Sequence, residues 1–138
     1  MKAFFALCVL AAVAFAQGQQ LTAEQSAKLK EHVKICIDSS KVDKQLVIDA
    51  RAGKFAETPE LYEFFTCVFK RVGFLDDNEK LQEDVIRAKA PAGLSKEVLD
   101  KGIQTCAKAQ DAGAGKVAFA AYKCFKTESD VKIDILED

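Results

Sequence analysis

The chain has 138 residues, with 20 Lys and Arg against 21 Asp and Glu, a formal net charge of −1, and 49% hydrophobic residues. This length suits about one domain. A nearly neutral chain has no net positive charge that would attract nucleic acid or an anionic membrane. These values exclude a nucleic-acid partner and favour a single globular domain.

The first sixteen residues predict a secretory signal peptide. One basic residue, Lys2, precedes an apolar stretch that ends in Ala14-Phe15-Ala16, the small-x-small pattern cut by signal peptidase. The stretch is short for a membrane span, and an amphipathic sequence follows it, so a membrane anchor is the weaker interpretation. We expect residues 1–16 to be removed and residues 17–138 to form a secreted, extracellular domain.

Four cysteines remain after this removal: Cys36, Cys67, Cys106 and Cys124. An even number in a small secreted domain indicates two disulfides, and four cysteines permit three pairings. A zinc site is disfavoured because the chain has no Cys-x-x-Cys pair and only one histidine. The sequence therefore predicts no metal site and no cofactor.

Apolar residues recur at helical spacing, with helix start and stop signals between the runs. The clearest start is Thr58 as a cap with Pro59 at the first helical position. This pattern predicts an all-α domain. Six helices are predicted. The first begins at the capping box of Thr22, the second spans about 42–52 and ends before Gly53, and the third runs from Thr58 to Gly73. The fourth runs from Asp76-Asp77 to Pro91, the fifth runs from Ser95 to Cys106, and the sixth carries Val117 to Phe125.

No catalytic constellation is present, and we predict that the protein is not an enzyme. "GAGK", residues 113–116, follows a helix and lacks the full phosphate-loop motif, so it indicates a turn. His32 has no Ser or Asp partner in a recognisable motif and is interpreted as a surface or helix-packing residue.

Six helices, a signal peptide and cysteines on the first, third, fifth and sixth helices resemble the insect odorant-binding proteins. That family usually has six cysteines, with three residues between the second and third and eight between the fifth and sixth. Those positions hold Glu63 and Gly115 here, so both partners of one disulfide are absent. This pattern resembles the four-cysteine "minus-C" branch, which includes haemolymph and accessory-gland carriers.

The resemblance implies a compact six-helix, disulfide-linked domain that encloses an apolar cavity. It implies disulfides Cys36–Cys67 and Cys106–Cys124. Helix three carries "EFFTCVFKR", residues 63–71, and any single Phe there is most simply core. A helix that is apolar over more than half its circumference instead contacts several helices or a filled cavity. The ligand-binding residues that follow from the resemblance and this apolar stripe are Leu29, Phe65, Val68, Phe69, Ile103, Ala121 and Phe125.

The preferred interpretation is a secreted carrier of odorants, pheromones, fatty acids or related lipids. We expect a monomer or weak homodimer whose partner is a small hydrophobic molecule, without stable membrane insertion. Two alternatives are a saposin-type membrane-acting protein, which needs a different cysteine order, and a secreted signalling or structural protein whose aromatic helix is only core. Residues 130–138 are interpreted either as a cover for the pocket or as a frayed terminus.

Overall fold

The computed structural model describes residues 23–90 and 94–128, where the chain forms helices and no strand. The all-α prediction is confirmed. The predicted signal peptide, the Thr22 capping box, Pro91 and the C-terminal tail lie outside the described residues. In chain order the helices are α1 (Ala23–Ser40), α2 (Lys44–Arg51), α3 (Pro59–Val72), α4 (Glu83–Ala88), α5 (Lys96–Cys106) and α6 (Val117–Thr127), and a 3-10 helix (Ala107–Asp111) directly follows α5.

The predicted ends of α3 and the predicted start of α5 are confirmed. The Thr58 hydroxyl accepts a hydrogen bond from the Leu61 amide at 3.2 Å, and the Ser95 hydroxyl accepts one from the Val98 amide at 3.1 Å. Each hydroxyl satisfies an amide that has no partner within the helix. Gly73 ends α3 with φ at 89°, a left-handed conformation that glycine adopts without a steric penalty.

The predicted start of the fourth helix at Asp76 is wrong. The Asp76 carboxylate accepts hydrogen bonds from the amides of Asn78 and Lys80, at 2.8 and 2.9 Å, and thereby closes a turn. An aspartate before a helix and an aspartate in a turn offer the same acceptor to nearby amides. Here an antiparallel bridge between Leu75 and Leu81 favours the turn, and α4 begins only at Glu83.

Two disulfides connect the helices. Cys36–Cys67 joins α1 to α3, and Cys106–Cys124 joins α5 to α6. These are the pairs that the family resemblance implies. Helix α3 packs along α1 on one side and along α6 on another, while α5 packs on α6 and on the 3-10 helix. Helix α3 is therefore the central element of the fold.

Within residues 23–90 and 94–128, the buried apolar side chains form two separate clusters. The main cluster takes residues from α1, α2, α3, the 3-10 helix and α6. The second cluster is small and consists of Ile86, Leu99 and Ile103, from α4 and α5. Phe74, in the connection after α3, is partly buried and packs against both clusters. The clusters thus meet at this ring.

Candidate functional site

The structure divides the seven predicted ligand-binding residues between the two clusters. Ile103 belongs to the second cluster, and Phe125, on α6, is partly buried and packs against it. A ligand that contacts all seven would have to lie where the two clusters meet. The residues of the main cluster are Leu29, Phe65, Val68, Phe69 and Ala121.

Phe65 lies within a group of aromatic rings and is fully buried. Its ring stacks on Tyr122 with centroids 4.6 Å apart, and it makes edge contacts with Phe64 at 5.2 Å and Phe119 at 5.9 Å. Such aromatic pairs add to the stability that comes from burial alone. Phe65 therefore stabilises the protein core through its contacts with other protein rings.

Phe69 and Phe74 form an edge-to-face pair, with centroids 5.7 Å apart and planes at 89°. Phe69 is buried in the main cluster, whereas Phe74 touches both clusters. We refer to the group Phe69, Phe74, Ile103 and Phe125 as the seam. Phe74 was not among the predicted ligand-binding residues, because it is not at a position that the family resemblance matches to the pocket.

Polar contacts fix the loop that carries Phe74. Glu79, in this loop, accepts a hydrogen bond on its carboxylate from the Gly115 amide at 2.7 Å. The Gln110 side chain donates to the Glu79 carbonyl at 2.7 Å and accepts from the Leu81 amide at 2.9 Å. Glu79 has φ at 59°, a left-handed conformation that costs a non-glycine residue about 1–2 kcal/mol. Contacts between segments so distant in sequence leave no periodic signal in the chain.

The two positions that lack cysteines, Glu63 and Gly115, lie on the same surface groove of about 280 Å³. The Thr66 hydroxyl donates to the Tyr62 carbonyl at 2.9 Å and also lies 3.3 Å from the Gly115 carbonyl, so α3 and the loop before α6 are adjacent without a covalent bond. The other residues that line the groove are Pro59, Tyr62, Ala114 and Lys116.

A second surface groove, of about 540 Å³, runs between the 3-10 helix and α6. An ion pair between Lys108 and Glu128, at 3.0 Å, lies at this groove and is mostly exposed. None of the seven predicted ligand-binding residues lines either groove. The two grooves are therefore distinct from the seam.

His32 is half-buried on α1 and accepts a hydrogen bond on Nδ1 from Nε of Arg71 at 3.1 Å. Partial burial lowers the pKa of His32, and the positive charge of Arg71 lowers it further. Lys89 and Lys28 act on this pKa in the same direction, whereas Glu31 opposes them. His32 is thus a neutral acceptor within a group of positive charges.

Residues 23–90 and 94–128 contain no group of three or more His, Cys, Asp or Glu side chains that could hold a metal ion. In the same part of the chain, no helix is long and apolar enough to cross a membrane.

Comparisons with known proteins agree on one family. The chain is 27% identical to Odorant-binding protein 22 of Aedes aegypti, over 141 aligned positions that cover both proteins completely. The fatty acid binding protein OBP56a, from the oral disk of the blowfly Phormia regina, has a similar fold with a TM-score of 0.62 at 30% identity, covering 78% of this chain and 93% of that one.

Odorant Binding Protein 4 of Chrysopa pallens shares the fold with a TM-score of 0.68, covering 86% of this chain and all of that one at 20% identity. These relatives are named for binding odorants or fatty acids rather than for catalysis. The sequence profile of the PBP/GOBP family matches residues 18–128. The chain therefore belongs to the PBP/GOBP family, that of the insect odorant-binding proteins, which are carriers and not enzymes.

Proposed function

We propose that the protein is a secreted carrier of small hydrophobic molecules, such as odorants, pheromones, fatty acids or related lipids. Membership of the PBP/GOBP family supports this function, as does the 30% identity to a protein named for binding fatty acids. The observation that carries the proposal is the division of the interior into two apolar clusters that meet at the half-buried ring of Phe74, with the half-buried Phe125 packed against the second cluster.

The proposed binding site is the seam, extended by the predicted residues of the main cluster. Apolar sites lined by aromatic rings are the usual form of small-molecule pockets. Phe74 and Phe125 retain exposed surface that a ligand can cover, whereas Phe64 and Phe65 are fully covered by protein. A ligand inserted between the clusters would lie beside Phe69 and Ile103. The other predicted residues lie in the main cluster and would be reached only by a ligand that separates its side chains: Leu29, Phe65, Val68 and Ala121.

The mechanism is partition of a poorly soluble molecule from water into an apolar site. A ligand that buries about fourteen methylene groups gains roughly 11 kcal/mol. Lost translational freedom and ordering of side chains remove several kcal/mol of this gain. The remainder corresponds to an affinity on the order of 1–10 μM. Such an affinity is suited to reversible transport through extracellular fluid.

We further propose that the protein belongs to the four-cysteine branch of the family and acts as a monomer or weak homodimer. Removal of residues 1–16 takes away Cys8 and leaves the four cysteines that form the two disulfides. The absent cysteines correspond to Glu63 and Gly115, which line one groove. Amino-terminal sequencing of the secreted protein should begin at Gln17, and a start elsewhere would revise the proposed domain of residues 17–138.

Displacement of a fluorescent apolar probe tests the proposed site. We expect Phe69→Ala, Phe74→Ala and Phe125→Ala to weaken ligand binding at temperatures where each variant is still folded. Phe64→Ala is the control, because Phe64 lies on α3 with its ring fully buried and outside the proposed site. If the loss of affinity is proportional to the loss of stability in all four variants, the proposed site is wrong. A wild-type protein that binds neither the probe nor any apolar ligand would remove the carrier function.

A further inference from the structure

Three basic side chains from different segments gather at the carboxyl end of α3. His32 comes from α1, Arg71 from the last turn of α3, and Lys89 directly follows α4. Arg71 Nε donates to His32 Nδ1 at 3.1 Å, and Lys89 Nζ donates to the carbonyl of Val72. We refer to His32, Arg71 and Lys89 as the basic cluster.

The two cations of the basic cluster have no acidic partner within the described part of the chain. No carboxylate there lies within ion-pair distance of Arg71 or Lys89. Arg87, on α4, differs from these two cations because it forms ion pairs with Asp100 at 3.0 Å and Glu83 at 3.7 Å. Arg71 instead directs a donor to a neutral imidazole, and the negative charge that acts on this imidazole is that of Glu31, which makes no ion pair with Arg71.

The basic cluster lies next to the seam. Val72 packs against the main cluster and its carbonyl accepts a hydrogen bond from Lys89 Nζ, and Phe74 of the seam follows two residues later. The end of α3 also lies close to α4. A Cβ placed on Gly73 would lie 3.4 Å from Cγ1 of Val85, on α4, and 4.0 Å from Nζ of Lys89, which follows α4. At this end of α3, apolar side chains therefore lie inside, and the exposed side chains of Arg71 and Lys89 lie outside.

We propose that the basic cluster is a subsite for the anionic head of the ligand, and that the preferred ligands are long-chain carboxylates whose tails lie in the seam. This inference rests on the proposed carrier function and names its ligand class. Arg71 presents a planar guanidinium that can donate two parallel hydrogen bonds to a carboxylate, and Lys89 supplies a second positive charge. His32 holds the guanidinium in place without neutralising it.

A purely structural role for these cations is the alternative. Basic side chains stabilise helix carboxyl ends, where carbonyl groups lack partners, and Lys89 contacts such a carbonyl at Val72. That role predicts no dependence of ligand affinity on the ligand's charge. A comparison of ligands that differ only in their head group therefore separates the two interpretations.

The test compares tetradecanoic acid with tetradecanol, whose apolar tails are nearly the same. At neutral pH and low salt we expect wild-type protein to bind the acid about five- to tenfold more tightly, the size of a partly exposed charge-assisted contact. The double variant R71Q/K89Q should lose this preference and keep its affinity for the alcohol. The matched control is K30Q/K34Q, which removes two exposed charges of α1 that do not act on His32.

A second measurement uses the only histidine of the chain. A carboxylate held by Arg71 brings a negative charge close to the imidazole, so the NMR titration of His32 should move to higher pH with the acid than with the alcohol. Equal affinities of wild-type protein for both ligands, with equal His32 titrations, would overturn the anion subsite while leaving the carrier function intact. If folded protein binds neither ligand, the carrier function itself fails.

Discussion

Two parts of the molecule differ in how they are held together. The core formed by α1, α3 and α6 contains fully buried aromatic rings and the Cys36–Cys67 bridge. The α4–α5 region has a second cluster of only three buried residues, and its six-residue helix α4 contacts its neighbours partly through exposed polar groups such as Arg87 and Asp100. Regions with few buried apolar contacts open at lower free energy than cores. We therefore expect the α4–α5 region to move when ligand is taken up or released.

The Cys106–Cys124 bridge limits that movement, because it fastens the carboxyl end of α5 to α6. The amino end of α5 and the whole of α4 have no such covalent attachment among the described residues. Opening would then separate Ile86 and Leu99 from Phe74 while the α5–α6 junction stays fixed. This places the expected movement at the seam.

The largest difference between the two parts should appear when aromatic rings are truncated. Phe65→Ala removes a fully buried ring from an aromatic group and should lower the free energy of unfolding by about 3–5 kcal/mol. Phe125→Ala removes a half-buried ring and should lower it by about 1–2 kcal/mol. Urea denaturation of both variants measures the difference. Equal losses would mean that the second cluster is packed as firmly as the core.

Removal of each disulfide should also distinguish the two parts. The bridges close loops with sequence separations of 31 and 18, and each should stabilise the fold by about 3–4 kcal/mol. The variant C106A/C124A should accelerate amide exchange chiefly in α5, and C36A/C67A chiefly in α1. The same exchange pattern in both variants would show that the protein unfolds as one unit without a separable α4–α5 region.

Sequence reasoning worked best where a local contact determines the structure. The hydroxyls of Thr58 and Ser95 each accept a hydrogen bond from an amide three residues later, and such contacts can be predicted from residues close together in the sequence. It failed at Asp76, where a turn and a helix cap use the same side-chain acceptor and the backbone bridge between Leu75 and Leu81 decides between them. It also missed the 3-10 helix after α5, whose one buried residue, Ala109, gives no apolar pattern.

The candidate site shows the same limit. Residues of the site that lie on helices, such as Phe69 and Phe125, could be proposed by counting from cysteines. Phe74 and Glu79 lie in a connection, and their positions depend on contacts with the second cluster and with Gly115. Such contacts join segments up to 36 residues apart. They become visible only when the packing of the helices is known.

A third disulfide that fixes α3 to the loop before α6 should increase the difference in stability between the core and the α4–α5 region. The variant E63C/G115C places cysteines on one groove, and a Cβ at Gly115 meets no atom within 4 Å. A bridge that closes a loop of about 50 residues is worth about 4 kcal/mol. Gly115 has φ at 80°, so a cysteine there costs about 1–2 kcal/mol, and we expect a net gain of about 2–3 kcal/mol.

Thiol titration and thermal unfolding, each with and without reductant, measure this gain. The single variants E63C and G115C serve as controls, because each carries the substitution without the bridge. Free thiols in the oxidised double variant would place the two backbones too far apart for a disulfide.

The hydrogen bond between Glu79 and the Gly115 amide should contribute a smaller amount. Glu79→Ala keeps the left-handed backbone conformation but loses the carboxylate, and should lower the free energy of unfolding by about 1–2 kcal/mol. Exchange of the Gly115 amide should accelerate as well. Asp77→Ala is the matched control, since it removes an exposed carboxylate from the same loop. An unchanged Gly115 exchange rate would show that the carboxylate contact does not hold the loop.

The smallest expected effect concerns pH and His32. Its pKa in the folded protein lies below the ordinary value of 6.5, first because of partial burial and then because of Arg71. The unfolded chain therefore takes up a proton at higher pH than the folded protein does. The His32 contribution to stability is complete above pH 6.5 and decreases as the pH falls from there through the folded-state pKa. His32→Gln should flatten the stability profile in that window, while Lys30→Gln, on the same helix, should leave it unchanged. A profile of equal slope in wild type and His32→Gln would assign the pH dependence to other groups and would make the contact with Arg71 energetically neutral.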